Sequence, residues 1–429
     1  MSNAVKLPEF FNYSKLRTSF GVVGNPPDIY AANLVYTAQS VSGTPTLVVP
    51  NTYGNNGLKN ETKREFEIGL ENKFFNNRLG LDLTYYNNKI VDMIVPLDVA
   101  YSTGVNNIMQ NVGNMKNYGL EVGLSFTPVK TQDFTWDSRI NFAFNRNKLL
   151  KLADNLEMLQ HSNVDNGSLY VRSKVGEAAG DIYTYDLTKN QDGSLLVGDD
   201  GFYVPDFDNL IKAGNIQPKA VGGFINGFTY KSFSVNTVID FRFGGQVYSP
   251  SIQYGRSAGM YEETLFGRDE ATGGLAYYDA DGTFLPASNG ASAGETIYHD
   301  GMVLEGKRAD GTENSTIIEA GEFYRLSNYW GAYPGSGLTG TYKSTVFDND
   351  FIKMREVSFA YTLPESINKK LKAKNVTLTA YGRNLFYFHK TMPHLDPEAT
   401  IGTNWISRAN IGNAGVVPRS FGLSLRASF

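Results

Sequence analysis

The side chains best suited to chemistry in this sequence are carboxylates and aromatic rings. Asp192, Asp199, Asp200, Asp206 and Asp208 crowd one polar stretch. Hard oxygen donors grouped in this way are what a calcium ion takes, with Asp199, Asp200, Asp206 and Asp208 as candidate ligands, and they are equally what a solvated acidic loop looks like. Calcium is the one cofactor these residues raise. Paired glycosidase acids must be held at a fixed separation on rigid elements, and a loop does not supply that. Of His161, His299, His389 and His394, the last two are five apart but lack the helical H-E-x-x-H context of a zinc site. The strings G-x-S-x-G at Gly290 to Gly294 and G-x-G-x-x-G at Gly335 to Gly340 stand in a long Gly- and Ser-rich connection without the strand-to-helix setting those motifs need, and there is no P-loop, so no residue is a catalytic candidate and an enzyme is not expected.

The rings are the second resource. Tyr183, Tyr185, Tyr203, Tyr254, Tyr329, Trp330 and Trp405 lie in polar connecting segments beside Asn and Asp, and they are the candidate ligand contacts. Aromatic faces flanked by amides suit a sugar or a peptide. They equally suit a protein lid, or the internal packing of long loops.

What must position these residues is a set of strands. The chain holds 44 Gly, 26 Tyr and 27 Phe but no Cys, and its net charge is −4. That composition favours strands and turns, excludes a disulfide scaffold, and argues against a nucleic-acid partner, which would require a basic face. Residues alternate apolar and polar over Lys15 to Val23, Arg64 to Phe74, Arg78 to Asn87, Asn117 to Pro128, Phe134 to Asn145, Val221 to Tyr230, Ser232 to Phe243, Phe351 to Tyr361, Asn375 to Asn384 and Pro418 to Phe429. Many of these strands are longer than the usual ~5–6 residues of soluble sheets and suit a tilted membrane crossing of about 9–11.

The connections differ in a regular way. Short turns near 75, 131, 231 and 367 alternate with long stretches at 24–63, 88–116, 146–220, 244–350 and 385–418, within which Lys148 to Leu159 reads as a short helix and Ser168 to Val175 as a short strand. Strands running up and down would put every short turn on one side and every long loop on the other, as in transmembrane β-barrels. A soluble sandwich or propeller would instead require shorter, more even loops. Phe74, Phe75, Tyr85, Tyr86, Trp136, Tyr230 and Tyr361 then read as interfacial girdle residues. The polar faces carry Arg17, Glu65, Glu67, Glu121, Asp137, Arg139, Asp240, Arg242 and Arg426.

In order and spacing the motifs resemble a known family. They are K-L-R-T-S-F-G-V-V-G-N at Lys15 to Asn25, L-K-N-E-T-K-R-E-F-E-I-G-L-E at Leu58 to Glu71, N-R-L-G-L-D-L-T-Y-Y at Asn77 to Tyr86, and N-V-G-N-M-K-N-Y-G-L-E at Asn111 to Glu121. Further on come V-G-E-A-A-G-D-I-Y at Val175 to Tyr183, Q-P-K-A-V-G-G at Gln217 to Gly223, M-R-E-V-S-F-A-Y-T-L-P at Met354 to Pro364, G-R-N-L-F at Gly382 to Phe386, D-P-E at Asp396 to Glu398, and a terminal strand ending in Phe429. Over nearly all of residues 1–429 the sequence resembles the C-terminal barrel portion of SusC/RagA-like TonB-dependent outer-membrane transporters of Bacteroidota.

The resemblance implies an all-β fold, part of a 22-stranded antiparallel barrel in the outer membrane, with long extracellular loops. It implies import of oligosaccharides, glycans or peptides energised through TonB, a SusD-like surface lipoprotein as lid, contact with outer-membrane lipid and the insertion machinery, and Phe429 as a C-terminal outer-membrane signature. The family often carries a D-x-N-x-D-G-like run, of which Asp192-Gly193 and scattered acids stand here. The family's plug, TonB-contact segment, first barrel strands and signal peptide find no match, so the expectation is a fragment in which TonB engages through a region outside this chain. The alternative expectation is a non-transporting remnant or a β-rich extracellular glycan-binding or structural protein. The last strand is expected to pair with Asn375 to Asn384, and its other edge to stay open or to meet Lys15 to Val23 in a smaller barrel.

Overall fold

The computed structural model describes residues 8–33, 35–153, 156–268, 271–272, 275–278, 284–286, 301–402, 404–412 and 417–429. Ten strands form one sheet: β1 (Phe11–Asn25), β2 (Glu61–Phe74), β3 (Leu79–Val91), β4 (Asn114–Lys130), β5 (Phe134–Lys151), β6 (Ala220–Tyr230), β7 (Phe233–Phe243), β8 (Phe351–Thr362), β9 (Asn375–Lys390) and β10 (Ser420–Ser428). Each pairs antiparallel with its neighbours in sequence, so turns and long connections fall at opposite ends of the sheet. The sheet is open: β1 and β10 are its two outer strands. β10 pairs with β9 as expected, Leu425 opposite Leu378 and Phe421 opposite Gly382. The smaller barrel is not formed.

Every strand has an apolar and a polar face, and neither face is a core. Phe20 is 70% exposed and Leu423 86%. Fully buried side chains such as Leu169, Ile182, Ile252, Met392 and Ile411 lie instead in the long connections. A sheet whose apolar face has no protein partner is built for an apolar surrounding.

Glycine and aromatic residues oppose each other across the ladder. Tyr86 stands opposite Gly119, Phe241 opposite Gly222 and Tyr381 opposite Gly422, and in each case a Cβ on the glycine would lie 2.5 Å from an atom of the facing aromatic side chain. The ring covers backbone that a side chain would otherwise hide. Tyr86 therefore belongs not to the interfacial girdle but to the polar face, beside Asp82 and Thr84, where its hydroxyl donates to Asn145 Oδ1 at 2.8 Å. On the same face Arg17 Nη2 reaches Asp82 Oδ1 at 2.6 Å, passing over Gly69, which stands between Arg17 and Thr84 in register.

The strands run further than their alternation. The connections are 26–60, 92–113, 152–219, 244–350 and 391–419, all but 244–350 shorter than expected at one or both ends. Among the described residues of Lys148 to Leu159 none is helical. β5 continues through Lys151, held by Leu149 N to Glu177 O at 2.9 Å and Gly176 N to Leu149 O at 2.7 Å, and a new strand begins at Met158. Tertiary pairing overrides the local helix propensity there. At 18 residues, β5 is about 60 Å long and reaches well beyond a bilayer core.

The long connections are folded. Met158–Val164, Leu169–Lys174, Asp181–Leu187 and Pro205–Asn215 form a four-stranded sheet, packed through Leu169, Val171 and Ile182 on Tyr248, Tyr342 and Ala409 from later loops. Helix α1 (Pro250–Ser257) packs on α2 (Ala320–Asn328). Ser249 caps α1, its Oγ accepting from Ile252 N at 3.2 Å and donating to Ile411 O at 2.7 Å. The turn 363–374 holds α3 (Glu365–Lys370).

Candidate functional site

The loop assembly is fixed to the barrel strands at two polar anchors. At the first, Asp181 is fully buried, accepts from Asn215 Nδ2 at 2.7 Å and lies 2.8 Å from Lys212 Nζ, while Asn147 of β5 accepts from Ala179 N at 2.7 Å. Burial pushes the Asp181 carboxyl above the usual carboxylate range.

At the second anchor, three separated motifs meet. Arg355 is the extra residue of a bulge in β8, and β9 is irregular at Asn384, whose φ is +53°. A bulge re-aims a side chain. Here it brings Arg355 to Asp240 Oδ2 at 2.5 Å, Asn384 Oδ1 at 2.8 Å and both oxygens of Glu398 at 2.7 and 3.0 Å. Lys353, buried, donates to Glu398 Oε2 at 2.6 Å, and Tyr387 Oη donates to Asp396 Oδ1 at 2.6 Å. Burial raises the pKa of Glu398, but its hydrogen bonds from Arg355 and Lys353 outweigh that and hold it below the ordinary value. Lys353 and Arg355 were invisible as functional residues in the sequence, although M-R-E, G-R-N-L-F and D-P-E each marked a piece of the network.

Three candidate rings converge. Tyr254 from α1 meets Trp330 at 5.4 Å and 85° and Tyr329 at 6.4 Å and 73°, and Tyr329 meets Trp330 at 5.9 Å and 82°. α1 packs on α2, and Tyr329 and Trp330 directly follow α2, so helix packing assembles the group. Tyr329 and Trp330 are 50% and 40% exposed and form an open aromatic corner. Asp165 influences this corner: burial first and the Asp165 charge second push the Tyr254 hydroxyl up to about 12. Asp165, raised by burial, accepts from the Tyr342 hydroxyl, which burial and Asp165 push up in turn.

The other candidates are dispersed. Tyr185 is buried edge-to-face on Phe207 at 5.2 Å. Tyr183 stands opposite Tyr170 and Lys212 in the loop sheet. Tyr203 donates to Glu305 O at 3.2 Å. Asp199 pairs with Arg308 at 3.2 Å, Asp200 accepts from Phe202 N at 3.1 Å, and Asp206 accepts from Asp208 N at 3.0 Å. Among the described residues no three acidic or histidine side chains gather into a metal-binding group. His394 stacks on Tyr261 at 3.8 Å and reaches Glu263 Oε2 at 3.2 Å, and His299 lies outside the described residues.

Trp405 lines a different feature, a cavity of about 590 Å³ between Met158–Val164, the segment at Val95 and Pro96, and Ile401 with residues 404–410. His161 meets Trp405 edge-to-face at 5.0 Å and bonds Ser173 Oγ through Nε2 at 2.7 Å. Burial holds the His161 pKa down at about 4. Sequence reasoning singled out Trp405 but gave no role to His161.

Residues 7–173 match the family model described as TonB dependent receptor-like, beta-barrel. TonB-dependent receptor P3 of Formosa agariphila is 27% identical over 454 residues, covering 97% of this chain and 39% of the relative. TonB-dependent receptor SusC of Bacteroides thetaiotaomicron is 28% identical over 240 residues, covering 51% of this chain and 24% of the relative. Among solved structures, that of the RagAB peptide transporter superposes with a TM-score of 0.65 at 18% identity, covering 100% of this chain and 42% of that one, a likeness of fold. The chain thus spans about two fifths of the length of P3. The chain is similar to TonB-dependent receptors over nearly its whole length, the match to the barrel family model being confined to residues 7–173.

Proposed function

We propose that this chain is barrel and loop structure of an outer-membrane importer energised through TonB, which takes up oligosaccharides, glycans or peptides beneath a SusD-like surface lipoprotein. The observation that carries this reading is the two-faced sheet: ten antiparallel strands with an apolar face bare of protein, a charged opposite face, and all the folded long connections at one end. Lipid fits the first face, a hydrated lumen the second, and capture of solute from outside the third. Likeness to SusC and to the RagAB fold supports the class of uptake and the lid partner.

The test is uptake by cells that make the complete assembly, with and without this gene and with and without TonB. Solute entry that stops in both deletions is expected. Unchanged uptake of every glycan and peptide tried, or recovery of the folded protein from the aqueous fraction without detergent, would sink the reading.

A further inference from the structure

We infer that the cavity beside His161 and Trp405 is a binding subsite for an uncharged, hydroxyl-rich ring, a neutral saccharide unit. The inference deepens the uptake reading and rests on it for its physiological meaning. The cavity's volume of about 590 Å³ falls within the ~300–1,000 Å³ of small-molecule sites. Among the described residues its lining holds no Asp, Glu, Lys or Arg, so it offers nothing to balance a charged ligand.

Its polar groups are amides, hydroxyls and one imidazole. Gln160 Oε1 already accepts from Arg172 Nε at 3.3 Å and Nη2 at 3.2 Å, and Asn404 Oδ1 from Ser407 N at 2.8 Å. Each carboxamide therefore keeps its NH₂ to donate. Sugar hydroxyls accept and donate, and the C–H face of a pyranose lies on an indole.

The walls also disfavour a peptide. Met158–Val164 is an outer strand of its sheet, where an extended peptide could add. It is bulged at His161, between the pairs Gln160 with Arg172 and Ser162 with Val171, and the cavity's lining includes Pro96, which has no N–H. A bulge and a proline blunt strand addition. The same bulge carries the imidazole that bonds Ser173 and meets Trp405.

Isothermal titration of the detergent-purified assembly with maltose, cellobiose and lactose tests this, with galacturonic acid and tetra-alanine as comparators. Binding of at least one neutral disaccharide is expected, weakened about tenfold by Trp405→Ala and by His161→Ala. Trp405→Tyr, which keeps a ring and guards against a folding failure, is expected to stay within about twofold. Equal or better binding of galacturonic acid or tetra-alanine, binding indifferent to Trp405→Ala, or no disaccharide binding would overturn the inference. Loss of saccharide binding with TonB-dependent uptake intact would leave the uptake reading standing. Binding without such uptake would do the reverse.

Discussion

Arg355 holds Glu398 by both carboxylate oxygens, at 2.7 and 3.0 Å, and so ties a loop to a strand 43 residues away in sequence. Buried Lys353 shares the same carboxylate at 2.6 Å. Removing the charge of Glu398 leaves Lys353 with Asp396 at 3.7 Å as its remaining acid. Glu398→Gln is expected to cost about 1–3 kcal/mol, below the figure for a fully buried pair because Arg355 and Glu398 are partly exposed. Limited proteolysis reads this as faster cleavage within 391–412. Unchanged cleavage would mean that the ion pairs do not hold the loop.

The glycine and aromatic pairs make a second prediction. A Cβ on Gly222 would sit 2.3 Å from Asn141 O, and one on Gly119 2.3 Å from Phe144 O, so backbone as well as ring must move. Gly222→Val and Gly119→Val are each expected to destabilise by about 1–3 kcal/mol. The readout is the temperature at which the folded band on a semi-native gel converts to the unfolded one, which should fall in both variants.

How far the sequence revealed this follows from where alternation holds. Strand centres such as Leu79 to Tyr85 were legible because one face meets apolar surroundings and the other polar ones. Strand ends were not, because Lys116 pairs with Lys89 and Asn117 with Asn88 after alternation has ceased, the ladder there being held by backbone and by polar side chains such as Asn117, whose Nδ2 donates to Asn88 Oδ1 at 3.0 Å. Residue type identified Tyr254, Tyr329 and Trp330 as ring candidates. That these three converge while Tyr185 is buried on Phe207 depends on how α1 meets α2, and no local pattern encodes that. Arg355 and His161 act from bulges, positions where the period of two that makes strands readable is broken.

Titration of His161 gives a pH dependence with a definite sign. Burial lowers its pKa from 6.5 to about 4, so between those values the unfolded loop binds a proton that the folded one refuses. Its contribution is fully present above pH 6.5, declines as pH falls and flattens below about 4, with at most about 3 kcal/mol at stake. Hydrogen exchange across 158–174 should accelerate between about pH 7 and about pH 5 through opening of this loop, after correction for intrinsic rates, and His161→Gln should remove most of that slope. Equal slopes in the two proteins would assign the dependence to other groups.

The aromatic corner separates capture from packing. Tyr254 stands on α1, which packs on α2, and lies near the Asp165 charge, so its loss would disturb structure as well as surface. Tyr329 and Trp330 keep about half their surface free. If the corner meets solute, Tyr329→Ala and Trp330→Ala should each slow uptake about three- to tenfold at matched surface abundance, and Tyr329→Phe should restore it, because the face and not the hydroxyl makes the contact. Rings that touch one another act as a unit, so the double variant should lose less than the sum of the two free-energy changes. Normal uptake in the double variant, together with loss of co-purifying lipoprotein, would instead make the corner a seat for the lid.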